Sequence, residues 1–269
     1  MTTSKKVLAI AAILIVAGGF GLLLNWSGLN LKSVKEVREV DAAQIDSVNV
    51  RIDNGKIELR RSDGNKIRVE LTGKMRRPND ARLEIEEREG TLSIEFANGR
   101  QHRWFNLFSD NEDMKVTVLV PERLKGVLEA YAANGEVSIT GVGANRLTAT
   151  VRNGSIRLSR TEADETVFEL INGDVSLERV SGDVNGEVLN GKIEADMERL
   201  EQNVDLSVLN GSIRVTTAHK PKDAVYDLRT TVGRVSVFGS QDWEPLTGDG
   251  TYKLKMRVTN GNITIDTAK

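Results

Sequence analysis

The chain has 269 residues, with 37 Lys and Arg against 39 Asp and Glu and a net charge of −2, a near-balance that offers no basic surface for displacing counterions and so argues against nucleic-acid binding. Cysteine is absent, which excludes disulfides, thiolate nucleophiles, Fe–S clusters, cysteine zinc sites and a lipidated-cysteine anchor; the two histidines, His102 and His219, are too few for a multi-histidine metal centre. With 39% apolar and 28% charged residues, 24 Gly, 4 Pro and 4% aromatics, the composition is that of a folded chain with many tight turns and a core of small aliphatics.

Lys5 and Lys6 precede Val7–Leu24, a run of 18 residues without charge, and the next charge is Lys32. At about 1.5 Å per residue such a run is long enough to span hydrocarbon as a helix. Lysines before it and none directly after favour an N-terminus on the inside. The expectation is a cytoplasmic stretch at 1–6, a transmembrane signal-anchor at 7–24 and a juxtamembrane linker at 25–45. This describes a single-pass protein of the bacterial cell membrane with its ectodomain outside the cytoplasm. A cleaved signal peptide is the alternative, but its apolar region is usually about 7–15 residues, and the best cleavage candidate, Ala17-Gly18-Gly19, lies mid-run. Leu31–Val40 reads as a brief helix or an extended lead-in.

Residues 46–125 are strand-like but irregular. Val48–Ile52, Ile57–Arg61, Ile67–Thr72, Arg82–Glu87, Leu92–Phe96 and Lys115–Val120 alternate apolar and polar residues. They predict opening coils with hairpins that cap a stack, ended by Pro121. Lys74, Arg76 and Arg77 form a basic cluster, read as a solvated turn or as a contact for anionic headgroups or wall polymer. Asn98–Met114 gathers Trp104, Phe105 and Phe108 beside Arg100, His102 and Arg103. Arg103, Trp104, Phe105 and Phe108 therefore mark a candidate interaction loop for an envelope protein, a glycan or a membrane surface. The competing reading is a loop folded over a coil end.

Residues 126–269 repeat. Asn-Gly recurs at Asn54, Asn98, Asn134, Asn153, Asn172, Asn185, Asn190, Asn210 and Asn260; from Asn134 the main spacings are 19, 19, 18 and 20 residues, Val232-Gly233 then takes the same place and Asn260-Gly261 closes the series. Apolar residues precede the Asn at −6, −4 and −2, as in Leu147/Ala149/Val151, with Thr166 and Gly186 as exceptions, and follow each Gly at +2 and +4, as in Ile156/Leu158. Each unit is thus two half-buried strands joined at a corner. Gly135, Gly154, Gly173, Gly191, Gly211, Gly233 and Gly261 fit corners needing positive φ. Parity places each Asn on the inward side if the strand runs straight into the corner.

Two architectures fit this pattern: an antiparallel meander with type I′ hairpins, or a β-solenoid whose like strands stack in parallel about 4.8 Å apart. The constant phase favours a right-handed parallel β-solenoid of ~19-residue coils. Asn134, Asn153, Asn172, Asn190, Asn210 and Asn260 would then form a ladder of mutually bonded amides.

NGKIELRRSDGNKIRVELTG, KVTVLVPERL and the successive NGxVxL units resemble a bacterial adhesin-type β-strand-repeat family of unknown function, which includes LiaG-like membrane-anchored proteins of envelope-stress operons. The resemblance covers about residues 44–267 and implies a β-solenoid ectodomain on the cell envelope. It carries no catalytic residues, and no cofactor or metal ligand is expected. Asp174, Asp183, Glu187, Glu194, Asp196 and Glu198 read as a solvated face, since no calcium-loop pattern accompanies them. No nucleophile elbow, P-loop or dinucleotide fingerprint occurs. The expected function is non-enzymatic binding or sensing of an envelope component. A polysaccharide-active β-helix, with carboxylates converging from neighbouring coils, and a scaffold assembling through coil ends stand as alternatives.

Overall fold

The computed structural model describes residues 32–75, 81–98 and 111–268. The expected membrane segment 7–24 lies outside the described residues, as do Arg76, Arg77, Arg103, Trp104, Phe105 and Phe108. Among the described residues no helix is long and apolar enough to cross a membrane.

The fold is all-β, an open sheet of many strands with, among the described residues, a single 3-10 turn at Ala42–Gln44. In chain order the strands are β1 (Lys32–Asp41), β2 (Ser47–Ser62), β3 (Lys66–Met75), β4 (Ala81–Arg88), β5 (Thr91–Asn98), β6 (Asn111–Pro121), β7 (Val127–Thr140) and β8 (Gly143–Ser159). There follow β9 (Glu162–Glu178), β10 (Ser181–Met197), β11 (Val204–Thr217), β12 (Ala224–Val232), β13 (Val235–Val237), β14 (Leu246–Thr247), β15 (Tyr252–Asn260) and β16 (Ile263–Thr267). The stretch read as helix or lead-in is strand: β1 pairs antiparallel with β3. Its charges, among them Lys35, Glu36, Arg38 and Glu39, suit an outermost strand that must not recruit another chain.

From β7 to β11 each strand lies parallel to the next, with the Asn-Gly units in register: Asn134 opposite Asn153, then Asn172, Asn190 and Asn210. A strand of up to 17 residues can follow its parallel neighbour after only two residues, Gly141 and Val142, because it folds back at its corner. The arms before and after the corner turn their apolar faces to one another. Leu147, Ala149 and Val151 on one arm and Ile156 and Leu158 on the other are all buried in one core.

Within that core the register lines residues into columns. One runs Val50, Ala130, Ala149, Phe168, Gly186, Leu206, Met256 and Leu228. The large Phe168 ring sits between the two smallest neighbours, Ala149 and Gly186; a Cβ on Gly186 would lie 1.9 Å from the Phe168 Cζ. Asn185-Gly186 is therefore no corner, although it shares the dipeptide. The adjacent column holds Thr166 between Leu147 and Val184. The Thr166 hydroxyl is buried with no protein hydrogen-bond partner. Thr166→Val is expected to stabilise the protein by about 1 kcal/mol, read as a higher Tm, because it removes an unpaired polar group at nearly constant shape.

Both ends depart from the sequential stacking expected. At the first end β2 lies between β7 and an outer pair: its first arm pairs in parallel with β5 and its second with β6. Ile52 faces Phe96 and Lys56 faces Lys115, so the pairing passes from β5 to β6 at the level of the Asn54-Gly55 corner of β2. At the other end β15 and β16, last in sequence, slot between β11 and the β12–β13 unit. The outermost unit is thus the one with Val232-Gly233, and Val232 is 63% exposed. Val232 has no amide with which to continue a ladder. Thr230 instead donates its hydroxyl to the Gly261 carbonyl at 2.8 Å, and the Asn262 side-chain oxygen accepts from the Arg234 N–H at 2.9 Å. The C-terminal end of the chain is not the end of the stack. That end carries β14, paired with Ala224 and Val225, and the half-buried Phe238 and Trp243 packed on the core.

Candidate functional site

The corners form one continuous surface. Asn134 donates its amide to Asn54, Asn153 to Asn134, Asn172 to Asn153, Asn190 to Asn172, Asn210 to Asn190 and Asn260 to Asn210, each at 2.8–2.9 Å. All donate in one direction, which lets neighbouring bonds polarise one another. The expected inward placement of these side chains is corrected. The ladder lies on the exposed side, because the chain bends at the corner and both the Asn and the residue before it face outward. Parity alone assumed a straight strand. The same bend turns Ile171, Leu189 and Leu209 outward, at 43%, 40% and 42% exposure, one on each of three successive rungs beside the amides. Their alternation pattern disguised them as flank residues of a polar corner.

Behind the amides the corner glycines touch backbone to backbone. A Cβ on Gly154 would lie 1.7 Å from the Gly135 carbonyl oxygen, and on Gly211 1.6 Å from that of Gly191. Glycine is needed there for closeness as well as for its φ of 142° and 146°.

At the Asn54 end a cleft of about 730 Å³ opens, lined by Lys56, Thr72, Met114, Lys115 and Glu136 among others. Its charges are paired. Glu58, 6% exposed, accepts from Arg60 at 2.7 Å and Lys115 at 3.4 Å, and Lys56 lies 3.0 Å from Glu136, which also pairs with Arg157. Burial alone would raise the Glu58 carboxyl, but the Arg60 hydrogen bond and the charges of Lys115 and Arg60 outweigh it and hold it below the usual value of 4.5. Burial is likewise outweighed at Glu136 by Arg157 and Lys56. A general acid needs the opposite shift, so these carboxylates suit fixed ion pairs. The folded protein binds these protons less tightly than the unfolded chain. Their stabilising contribution is complete above about pH 5 and is lost as the pH falls through the lowered folded values. Stability measured by denaturant melts is expected to fall as the pH drops below about 5, and Glu58→Gln is expected to flatten that slope while costing about 2 kcal/mol at pH 7.

Elsewhere on the outer faces some rungs match, since Arg146 pairs with Glu165, Lys255 with Asp205, and Ser159 donates to Glu178, while others stack like charges, as Glu169 opposite Glu187 and Arg229 opposite Arg257. Asp174, Asp183, Glu187, Glu194, Asp196 and Glu198 are all exposed. Among the described residues no group of His, Asp and Glu is placed to hold a metal ion. Of the basic cluster only Lys74 is described.

The family model described as Toastrack DUF4097 matches residues 45–141 and 126–266. No curated protein matches the chain. A solved structure described as a "putative cell adhesion protein", from Clostridium sporogenes ATCC 15579, is 12% identical over 88% of this chain and 100% of its own, with a TM-score of 0.47. A "putative adhesin" from Bacteroides fragilis NCTC 9343 is 14% identical over 86% of this chain and 97% of its own, with a TM-score of 0.47. A "putative lipid binding protein" from Parabacteroides distasonis ATCC 8503 is 15% identical over 87% and 97%, with a TM-score of 0.38.

Proposed function

The chain belongs to the Toastrack DUF4097 family, and from that premise we propose a non-enzymatic, membrane-anchored envelope protein whose β-solenoid ectodomain presents a rigid corner surface to an envelope component. The observation that carries this reading is the exposed amide ladder with its apolar rib of Ile171, Leu189 and Leu209. It is a repetitive surface, and its rungs are fixed by both side-chain and glycine contacts. The winding is taken as right-handed, the sense favoured for parallel crossovers. Val7–Leu24 supplies the anchor. Because β1 begins at Lys32, only residues 25–31 would separate that span from the sheet, a tether of at most about 25 Å. The domain would then stand close to the bilayer.

Two measurements test the reading. Protease added to intact spheroplasts is expected to cut the ectodomain, and a protected ectodomain would refute the orientation. Crosslinking in cells through a photoreactive residue at Leu189 is expected to capture an envelope component, and capture of cytoplasmic proteins alone would refute the role of the surface.

A further inference from the structure

On the edge opposite the corners, the turns after β7, β8 and β9 share one geometry. Gly141, Arg160 and Arg179 each donate their N–H to the next rung, to the carbonyls of Ser159, Glu178 and Asp196, at 2.9, 2.8 and 2.8 Å. All three are left-handed, with φ of 68°, 52° and 52°. Gly141 shows which residue suits that position without strain. Arginine occupies it twice in succession, and the pair is unfavourable a second time. Ser159 and Glu178 are register partners, so the arginines that follow them sit one rung, about 4.8 Å, apart. Stacked like charges repel, as they do where Glu169 faces Glu187 and Arg229 faces Arg257. Neither Arg160 nor Arg179 has a carboxylate within ion-pair distance among the described residues, while Arg199 beside them lies 3.6 Å from Glu201. The three arginines line a groove of about 580 Å³ together with Glu162, Glu198 and Glu201.

We propose that Arg160 and Arg179 form a two-rung clamp for a phosphate group. Two guanidinium forks one rung apart can share the oxygens of a tetrahedral anion, which removes their mutual repulsion. The proposal names a ligand class for the protein's outer surface. It rests on the envelope reading only for where that phosphate comes from.

The test uses the full chain in neutral detergent, titrated with inorganic pyrophosphate while the arginine Nε–H resonances are followed. Saturable shifts of the Arg160 and Arg179 signals are expected, weakened by salt. Arg160→Gly/Arg179→Gly is expected to lose binding yet melt higher, by about 2–4 °C for each position relieved. A merely structural role predicts the reverse change in stability. Arg160→Lys/Arg179→Lys keeps the charge without the fork and is expected to bind more weakly. Arginine-dependent retention on phosphatidylglycerol vesicles would identify a lipid headgroup as the source, and arginine-dependent binding of soluble polyphosphate without vesicle preference would identify a polymer; either supports the clamp. Unmoved resonances at tens of millimolar pyrophosphate, or a double glycine variant that melts no higher than the parent, would overturn it. Protease-protected ectodomain would refute the envelope reading without affecting this titration.

Discussion

Gly173→Ala is expected to destabilise the protein by at least about 3 kcal/mol, lowering Tm by about 10 °C. Two independent effects act at this corner. The φ of 132° is one that an L side chain adopts only with strain. The added Cβ would lie 1.7 Å from the Gly154 carbonyl oxygen, and that neighbour is backbone, fixed in turn by its own rung. Side-chain rotation cannot relieve such a contact, so two coils must separate. Asn172→Ala, one residue earlier, is the natural control. It removes one donated and one accepted amide bond, but on an exposed surface water replaces much of what is lost, and about 1–2 kcal/mol is expected. Equal losses at the two positions, measured by thermal melts, would show that the amides rather than the glycine contacts hold the coils at their spacing.

Gly186→Ala is the second large effect, and its cause is a side chain. The Phe168 ring is fully buried and occupies the space a Cβ at residue 186 would need. A cost of about 2–3 kcal/mol is expected for the single change. Phe168→Leu alone leaves a partial cavity and costs about 1–2 kcal/mol. The pair should be strongly coupled, with Phe168→Leu/Gly186→Ala losing at least about 1 kcal/mol less than the sum of the singles, because the smaller side chain frees the room the new methyl requires. Strict additivity in denaturant melts would mean that the two residues do not face one another across adjacent coils.

The regular half of the fold was legible because its units repeat almost residue for residue. Val137, Ile156, Val175, Ile193 and Ile213 hold one phase relative to their glycines, and all five are buried in the same column. What a repeat cannot state is which unit neighbours which. Any NGxVxL arm can pair with any other, so the shared motif does not fix the slotting of β15 and β16 before β12 and β13. The signal lay in Val232: a unit without the amide cannot sit inside the ladder and belongs at its end. At the first end the equivalent position of the outer unit falls between β5 and β6. The alternation of β5 and β6 shows strands there without showing that they are two arms of one coil.

The corner surface was half legible. The amide chain follows from spacing, but its exposure does not, because period-two parity carries no information about a bend. Ile171, Leu189 and Leu209 look like ordinary apolar residues of a strand until the bend turns them outward. The arginine turn positions were passed over for a different reason. Positive φ is ordinarily signalled by Gly or Asn, and Arg160 and Arg179 carry no such signal. Only their equivalence to Gly141 reveals them.

The central claim is that like residues of each unit stack in parallel register, with the last unit of the chain slotted inside the preceding one. Since the protein has no cysteine, paired cysteines placed in it report contact without background. Arg214 and Thr264 are register partners on β11 and β16, at a strand spacing a disulfide can bridge. Ser236 on β13 lies one rung beyond Thr264. Under mild oxidation Arg214→Cys/Thr264→Cys is expected to crosslink within the chain, and Arg214→Cys/Ser236→Cys is expected to stay reduced. Crosslinking of the second pair and not the first would mean that the units stack in sequence order, and failure of both would contradict the parallel stack itself.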